Sequence, residues 1–209
     1  MSRVRVSRVR PQLSIRLLLV GLLSGSLVSC LPVHTSPPAR IAAQNHLPQR
    51  VDQEISLPWG QDEAVFLIVD KSCKTLQRYH YGKLMRTYPV VLGRKPGAKL
   101  YEGDRRTPTG LYTIIGKRHH RRWSRFMLLD YPSPSDLRRD RTGITRGHVP
   151  RRRDGYPGAG GAIGLHGTDE PFFNEVGYNR TLGCISLFNH DIRELQTTVP
   201  TGTLVYIRE

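Results

Sequence analysis

From Glu63 to Glu209 the chain is cut into short apolar runs, each closed within a few residues by a turn signal. Runs that short do not fill an ordinary helix, and their β-branched and aromatic content favours pleated surfaces. Ala64 to Asp70 is continuous and apolar; Thr75 to Tyr81 follows after a turn at Lys71 to Lys74; Tyr81-Gly82-Lys83 reads as a hairpin turn into Leu84 to Leu92. This opening is expected to be an antiparallel meander. Gly110 to Gly116, Phe126 to Asp130, Ala162 to His166 and Thr203 to Arg208 are further strand candidates. Only one segment has helical spacing. Asn189 stands at a capping position, Asp191 in the first turn, and Ile192, Leu195 and Val199 form a stripe before Pro200 and Gly202 end it. Residues 63–209 are therefore expected to form one mainly-β domain with one helix near its C-terminal end, of a size that supports a single core. No internal repeat is visible.

The segment before this domain has another character. Arg3, Arg5, Arg8, Arg10 and Arg16 stand in an opening without acids, and Leu17 to Val28 is an apolar run too short for a comfortable membrane span, so residues 1–29 read as an export signal. Leu27-Val28-Ser29-Cys30 resembles the bacterial lipobox, which implies lipidation of Cys30, with several acyl chains anchoring the protein to a membrane. Residues 30–62 carry Pro32, Pro37, Pro38, Pro48 and Pro58 among scattered apolar residues and read as a tether. The five arginines leave with the signal and no acid does, so 32 Lys and Arg fall to 27 against 17 acids, and the net charge from +15 to +10. A basic protein seeks anionic partners, but an exported one meets wall polymers, lipopolysaccharide or anionic lipid rather than nucleic acid. The expected location is the lipid-anchored, periplasmic face of the envelope, and the expected state a monomer.

Residues 117–161 shift composition. Lys117 to Arg125 gathers lysine and arginine with His119 and His120 around Trp123, and Arg138 to Arg153 adds seven arginines among Pro, Gly and Asp. Two readings stay open: a solvated, partly mobile insertion, or a basic lip on a cleft that attracts a polyanionic wall polymer.

Chemistry concentrates between Gly164 and Ser186. His166 and Cys184 each adjoin a glycine on a short apolar segment, eighteen residues apart. A free thiol is only a few per cent thiolate at neutral pH, so Cys184 needs a partner that takes its proton or stabilises its anion, and His166 has a suitable intrinsic pKa. Lowering the thiol pKa by about 1.5 units would take about 2 kcal/mol, which a neighbouring imidazolium and aligned amides could supply. Gly183 allows close substrate approach, and the backbone N–H groups of Leu182, Gly183 and Cys184 are oxyanion-hole candidates. A Cys73–Cys184 disulfide is the alternative that abolishes this mechanism. Among the histidines no pair has the i, i+4 spacing of a helical zinc motif, and neither metal nor organic cofactor is expected. Trp59 and Trp123 are read as packing residues or platforms for glycan sugars, and Asp104 and Asp169 as turn residues or groups that orient His166.

Gly164-Leu-His166-Gly-Thr168, Thr181-Leu-Gly183-Cys184-Ile, the helix Asn189 to Val199 and Gly202-Thr-Leu-Val-Tyr-Ile207 resemble the L,D-transpeptidase catalytic domain, also called the YkuD domain. Gly103-Asp104, Thr107-Pro108-Thr109-Gly110 and Tyr79 to Gly93 extend the resemblance over Val65 to Ile207. It implies a β-sandwich or barrel and catalysis by Cys184 and His166, with substrate contacts from Gly167, Thr168, Thr181, Ser186 and Arg180. It also implies that Cys184 attacks a peptidoglycan stem peptide after the L-centre of its third residue and forms a thioester. Resolution by another stem makes a cross-link, by a lysine of an envelope lipoprotein an attachment, and by water a hydrolysis. The third partner of the dyad is implied to be a backbone carbonyl. Many members carry arginine two residues after the cysteine, where Ser186 stands here; this is closer to a YafK-like branch, some of whose members cleave wall attachments. Arg180 or an arginine of residues 117–161 is a candidate replacement for that charge. A hydrolase and a non-catalytic wall-binding lipoprotein are the alternatives to the transpeptidase.

Overall fold

The structure is a computed structural model that describes residues 65–209. The export signal, Cys30, Trp59 and the tether lie outside the described residues. Strands β1 (Val65–Asp70), β2 (Thr75–His80) and β3 (Lys83–Pro89) form the expected antiparallel meander. β4 (Gly110–His120) and β5 (Ser124–Leu129) form a hairpin, and β6 (Gly164–His166), β7 (Ile185–Ser186) and β8 (Leu204–Arg208) complete one mixed sheet in the order β3-β2-β1-β8-β4-β5-β6-β7. β8 pairs parallel to β1, and β7 parallel to β6; the other neighbours are antiparallel. Three helices are described: α1 (Pro134–Thr145), α2 (Pro171–Glu175) and α3 (Asn189–Thr198).

β4 joins the two halves of the sheet. Gly110 to Thr113 pair with β8, and from Ile114 onward the strand pairs with β5. A register irregularity between Ile114 and Gly116 marks the change, and such bulges bend a strand. The chain after β3 then crosses to the far edge: Val91 N–H donates to Ser186 O (3.0 Å) and Ser186 N–H to Val91 O (2.9 Å). That exchange curls the sheet around a core that includes Leu67, Val69, Tyr88, Tyr112, Ile114, Met127, Leu165 and Ile185. α3 fills the curl by burying Ile192, Leu195 and Val199 completely, each side chain contributing about 1.5–3 kcal/mol. Glu194 ties its outer face to the meander, accepting from Tyr88 Oη (3.0 Å) and pairing with Arg86.

Three expectations need correction. The domain has two helices beyond the one read from spacing. α1 escaped because the positions it buries are Asp136, Asp140 and Gly143, which leave no apolar stripe to detect. Its start is nonetheless well specified: Ser133 and Asp136 form a reciprocal capping box, and Pro134 occupies the first turn. Secondly, residues 117–161 are not a loose insertion. β4 runs on to His120 and β5 begins at Ser124, so the basic run is a hairpin of the central sheet, and Val149 and Ala159 are buried beyond it. Thirdly, Asn189 does not cap α3; Phe188 holds the cap position, and the Asn189 amide is used elsewhere.

Candidate active site

β6 and β7 are adjacent parallel strands, with Leu165 opposite Ile185 and His166 opposite Ser186. Cys184 immediately precedes β7, so its side chain lies on the same face as that of His166, one diagonal step away. For strands 4.8 Å apart this places the two Cα atoms roughly 8 Å from each other, within side-chain reach. Cys184 carries a free, half-buried thiol, so it is not bridged to Cys73. Its Sγ–H donates to Ala162 O at 3.5 Å. Ala162 is held at φ 54°, a backbone strain stored beside the thiol.

His166 is buried, and its Nδ1 lies 2.5 Å from Gly167 O. A carbonyl only accepts, so Nδ1 carries the hydrogen and Nε2 keeps the lone pair. Burial pulls the imidazole down to about 4; the bond to Gly167 O opposes this, His120 adds to it, and Asp169 opposes it. Burial likewise pushes the Cys184 thiol up, against a backbone hydrogen bond from Gly164 and the charge of Lys99. Of the two routes open to Cys184, a stabilised anion or a base that takes its proton, these directions favour the base, because the site desolvates charge more than it compensates it.

The nucleophile turn is ordered by Thr181, whose Oγ1 donates to Cys184 O (2.7 Å) and accepts from Gly183 N–H (3.2 Å). That bond engages one of the three amides expected to line an oxyanion hole and leaves those of Leu182 and Cys184. Gly183 sits at φ 143°, and a Cβ there would meet Arg106 O at 2.9 Å, so no other residue fits. Leu182 is 69% exposed beside the nucleophile. Gly167 is hemmed in more tightly, since a Cβ would lie 2.2 Å from Asn189 Oδ1 and 2.5 Å from Trp123 O. Thr168 is buried and its backbone is gripped at both ends by the Asn189 amide: Thr168 N–H donates to Oδ1 (2.9 Å), and Nδ2 donates to Thr168 O (2.8 Å).

Ser186 is buried at 4% exposure, and its Oγ donates to Gly167 O at 3.3 Å, the same carbonyl that takes His166 Nδ1. Arg180 pairs with Glu170 and stacks at 4.3 Å over Phe173, so its charge is already committed. Asp169 pairs with Arg122. Asp104 is buried: it binds Lys99 Nζ (2.8 Å) and the amides of Leu100, Tyr101 and Arg106, which folds the loop whose Arg106 carbonyl backs Gly183. Asn174 was not singled out in the sequence; it is buried and donates from Nδ2 to Ser186 O (3.1 Å). The roles of Asn174 and Asn189 have no local signal, because each spans elements that meet only in the fold. Trp123 stacks on His166 at 4.4 Å between ring centroids, a contact with the imidazole.

The sequence profile of the L,D-transpeptidase catalytic domain matches residues 64–207. The chain belongs to the L,D-transpeptidase catalytic domain family. A putative L,D-transpeptidase YkuD of Bacillus licheniformis is 25% identical over 142 residues, covering 68% of this chain and 64% of the relative. Among solved structures, Bd1075 of Bdellovibrio bacteriovorus is similar at 18% identity and a TM-score of 0.49, covering 70% of this chain and 48% of that one. The L,D-transpeptidase of Xylanimonas cellulosilytica is similar at 16% identity and a TM-score of 0.48, covering 82% and 68%. The chain thus spans less than two thirds of the length of the Bacillus relative and about half of the Bdellovibrio chain.

Proposed function

We propose that this L,D-transpeptidase domain is a cysteine acyltransferase acting on peptidoglycan stem peptides. The observation that carries this is the free Cys184 thiol on the same sheet face as an imidazole whose Nδ1–H is committed to Gly167 O, leaving Nε2 as the base. Nε2 takes the thiol proton as Sγ attacks the carbonyl carbon of the third stem residue, because neither group is charged at rest. The Leu182 and Cys184 amides stabilise the oxyanion. The C–N bond to the fourth residue then breaks, the imidazolium gives its proton to the leaving amine, and a thioester remains. An acceptor amine or water next loses a proton to Nε2 and attacks the thioester; the C–S bond breaks and the sulfur recovers its proton.

Transfer to a second stem or to an envelope lipoprotein is the primary reading. Hydrolysis is the second reading, and the buried Ser186 favours it, because no arginine at that position reaches into the site to hold a substrate carboxylate. Cys30 is read as the lipid attachment point of an envelope-anchored protein, and a Cys30 recovered as an alkylatable thiol or in a disulfide overturns that. Among the described residues no helix is long and apolar enough to cross a membrane.

The chemistry is tested by mass spectrometry of the purified protein with a carbapenem, a covalent probe of such thiols. One adduct on wild type and none on Cys184→Ala is expected. An adduct that survives the substitution, or none on wild type, removes the thiol mechanism. Muropeptide profiles then separate outcomes: new stem-to-stem links mark transpeptidation, and shortened or released stems mark hydrolysis.

A further inference from the structure

The β4–β5 hairpin places a column of rings on the catalytic imidazole. Trp123 lies parallel to His120 on one side (4.4 Å, 11° between planes) and against His166 on the other (4.4 Å, 26°). Phe126 lies nearly parallel to His166 at 6.2 Å. The hairpin tip is also stitched to the catalytic turn through the backbone, since Gly167 N–H donates to Trp123 O at 3.0 Å. Gly167 is therefore bonded on both sides, its N–H to the hairpin and its carbonyl to His166 Nδ1. A Cβ at Gly167 would stand 2.5 Å from Trp123 O, so the contact has no slack.

The turn that presents Trp123 depends on His120. Its Nδ1 accepts from the amides of Arg122 (3.3 Å) and Trp123 (3.2 Å), which requires an unprotonated Nδ1. Ser124 closes the turn at φ 60°, an uncommon conformation for a non-glycine residue. The charged groups around the column are Arg118, over the Phe126 ring at 5.2 Å, Arg122 and Arg125 on the hairpin, Arg193 of α3, which reaches Ser124 Oγ at 3.5 Å, and Asp169 after β6.

We propose that Trp123 is a positioning residue: held by the His120 ring stacked on it, it fixes the plane of His166 and shields that face from water, so that only Nε2 remains to exchange a proton. The consequence for catalysis rests on the acyl-transfer reading above. An unshielded imidazole hydrates and binds a proton more readily, which moves the acid limit of activity upward, and it rotates away from Gly167 O, which takes Nε2 out of line and lowers the rate at neutral pH. This agrees with the downward displacement of the His166 pKa, for which burial is the largest cause.

The test compares wild type with Trp123→Ala, Trp123→Leu and Trp123→Phe. The His166 imidazole is titrated by NMR, and the pH dependence of kcat/KM is followed on a stem tetrapeptide. Alanine and leucine are expected to raise the His166 titration by one pH unit or more, to move the acid limb of kcat/KM upward with it, and to lower kcat at neutral pH about tenfold, a fraction of the usual general-base contribution. Phenylalanine keeps a ring face and is expected to stay near wild type in both. If alanine does not fold, the leucine and phenylalanine pair reads the same shift. A folded leucine or alanine variant that loses stability while its His166 titration and acid limb stay in place overturns the proposal, since a merely packing tryptophan does that. A wild type that forms no adduct and turns over no peptide sinks the acyl-transfer reading, and the NMR titration still decides the role of Trp123.

Discussion

Burial holds the His166 imidazole neutral, and that has a thermodynamic signature. The imidazole is held near pH 4 in the fold but binds a proton below about 6.5 in the unfolded chain. Between those values the unfolded state binds more protons, so stability falls as pH drops through the window and the loss is complete below about 4. The size is on the order of 3 kcal/mol. His166→Gln is expected to remove this component, and urea unfolding of both proteins at a series of pH values between 4 and 7 measures the difference. Curves that run parallel would show that the imidazole is not held neutral. Ser186 decides a second question at the same scale. It is buried, its amide and carbonyl exchange bonds with Val91, and its Oγ shares Gly167 O with the catalytic ring. An arginine introduced there has to bury a charge or displace that carbonyl. Ser186→Arg is expected to destabilise by about 2 kcal/mol or more and to slow carbapenem acylation, rather than to install substrate binding. Faster acylation with unchanged stability would contradict this.

Among the elements, α1 shows how a helix can be specified without amphipathicity. Its buried Asp136 accepts from Tyr112 Oη (3.0 Å), Arg139 Nη1 (2.7 Å), Ser133 N–H (2.9 Å) and Ser133 Oγ (2.7 Å), so one carboxylate caps the helix and docks it to β4. Burial raises the Tyr112 phenol well above its ordinary range, and the Asp136 charge adds to it, so the tyrosine stays a donor to that carboxylate. Asp136→Ala strands Tyr112, Arg139 and Ser133 together and is expected to cost about 2–4 kcal/mol, against about 1 kcal/mol for Ser133→Ala, which removes only a cap. Equal midpoint shifts in urea for the two variants would refute the docking role. α3 works by a different logic, with an apolar stripe in the core and Asn189 clasping Thr168 at its first turn. Its packing against β5 and β6 carries the hydrogen-bonded turn after His166 to a fixed place.

On the scale of the molecule, the two catalytic segments are neighbours because the sheet curls. The β6–β7 pair needs Val91 on its free edge, and that residue arrives from the end of the meander, at the opposite end of the strand order. The sequence by itself determined the meander, the close of β8 and helix α3, and it singled out Cys184 and His166 as candidates, because each is local: a period of two or 3.6, a turn residue, a glycine beside a reactive side chain. Composition also announced the basic stretch at 117–125, yet nothing in it announced a hairpin that stacks Trp123 on the catalytic ring. Trp123 stands in the turn between β4 and β5, and the ring it stacks on comes from β6, much later in the chain. Likewise α1 has no readable stripe, and Asn174 and Asn189 act by bonds between elements that lie apart in the chain. The tertiary structure alone decided the burial that shifts the His166 and Cys184 pKa values, the committed charge of Arg180 and the burial of Ser186. Each depends on how much water the closed sheet leaves around a group, and desolvation is a property of the assembled surroundings rather than of any segment.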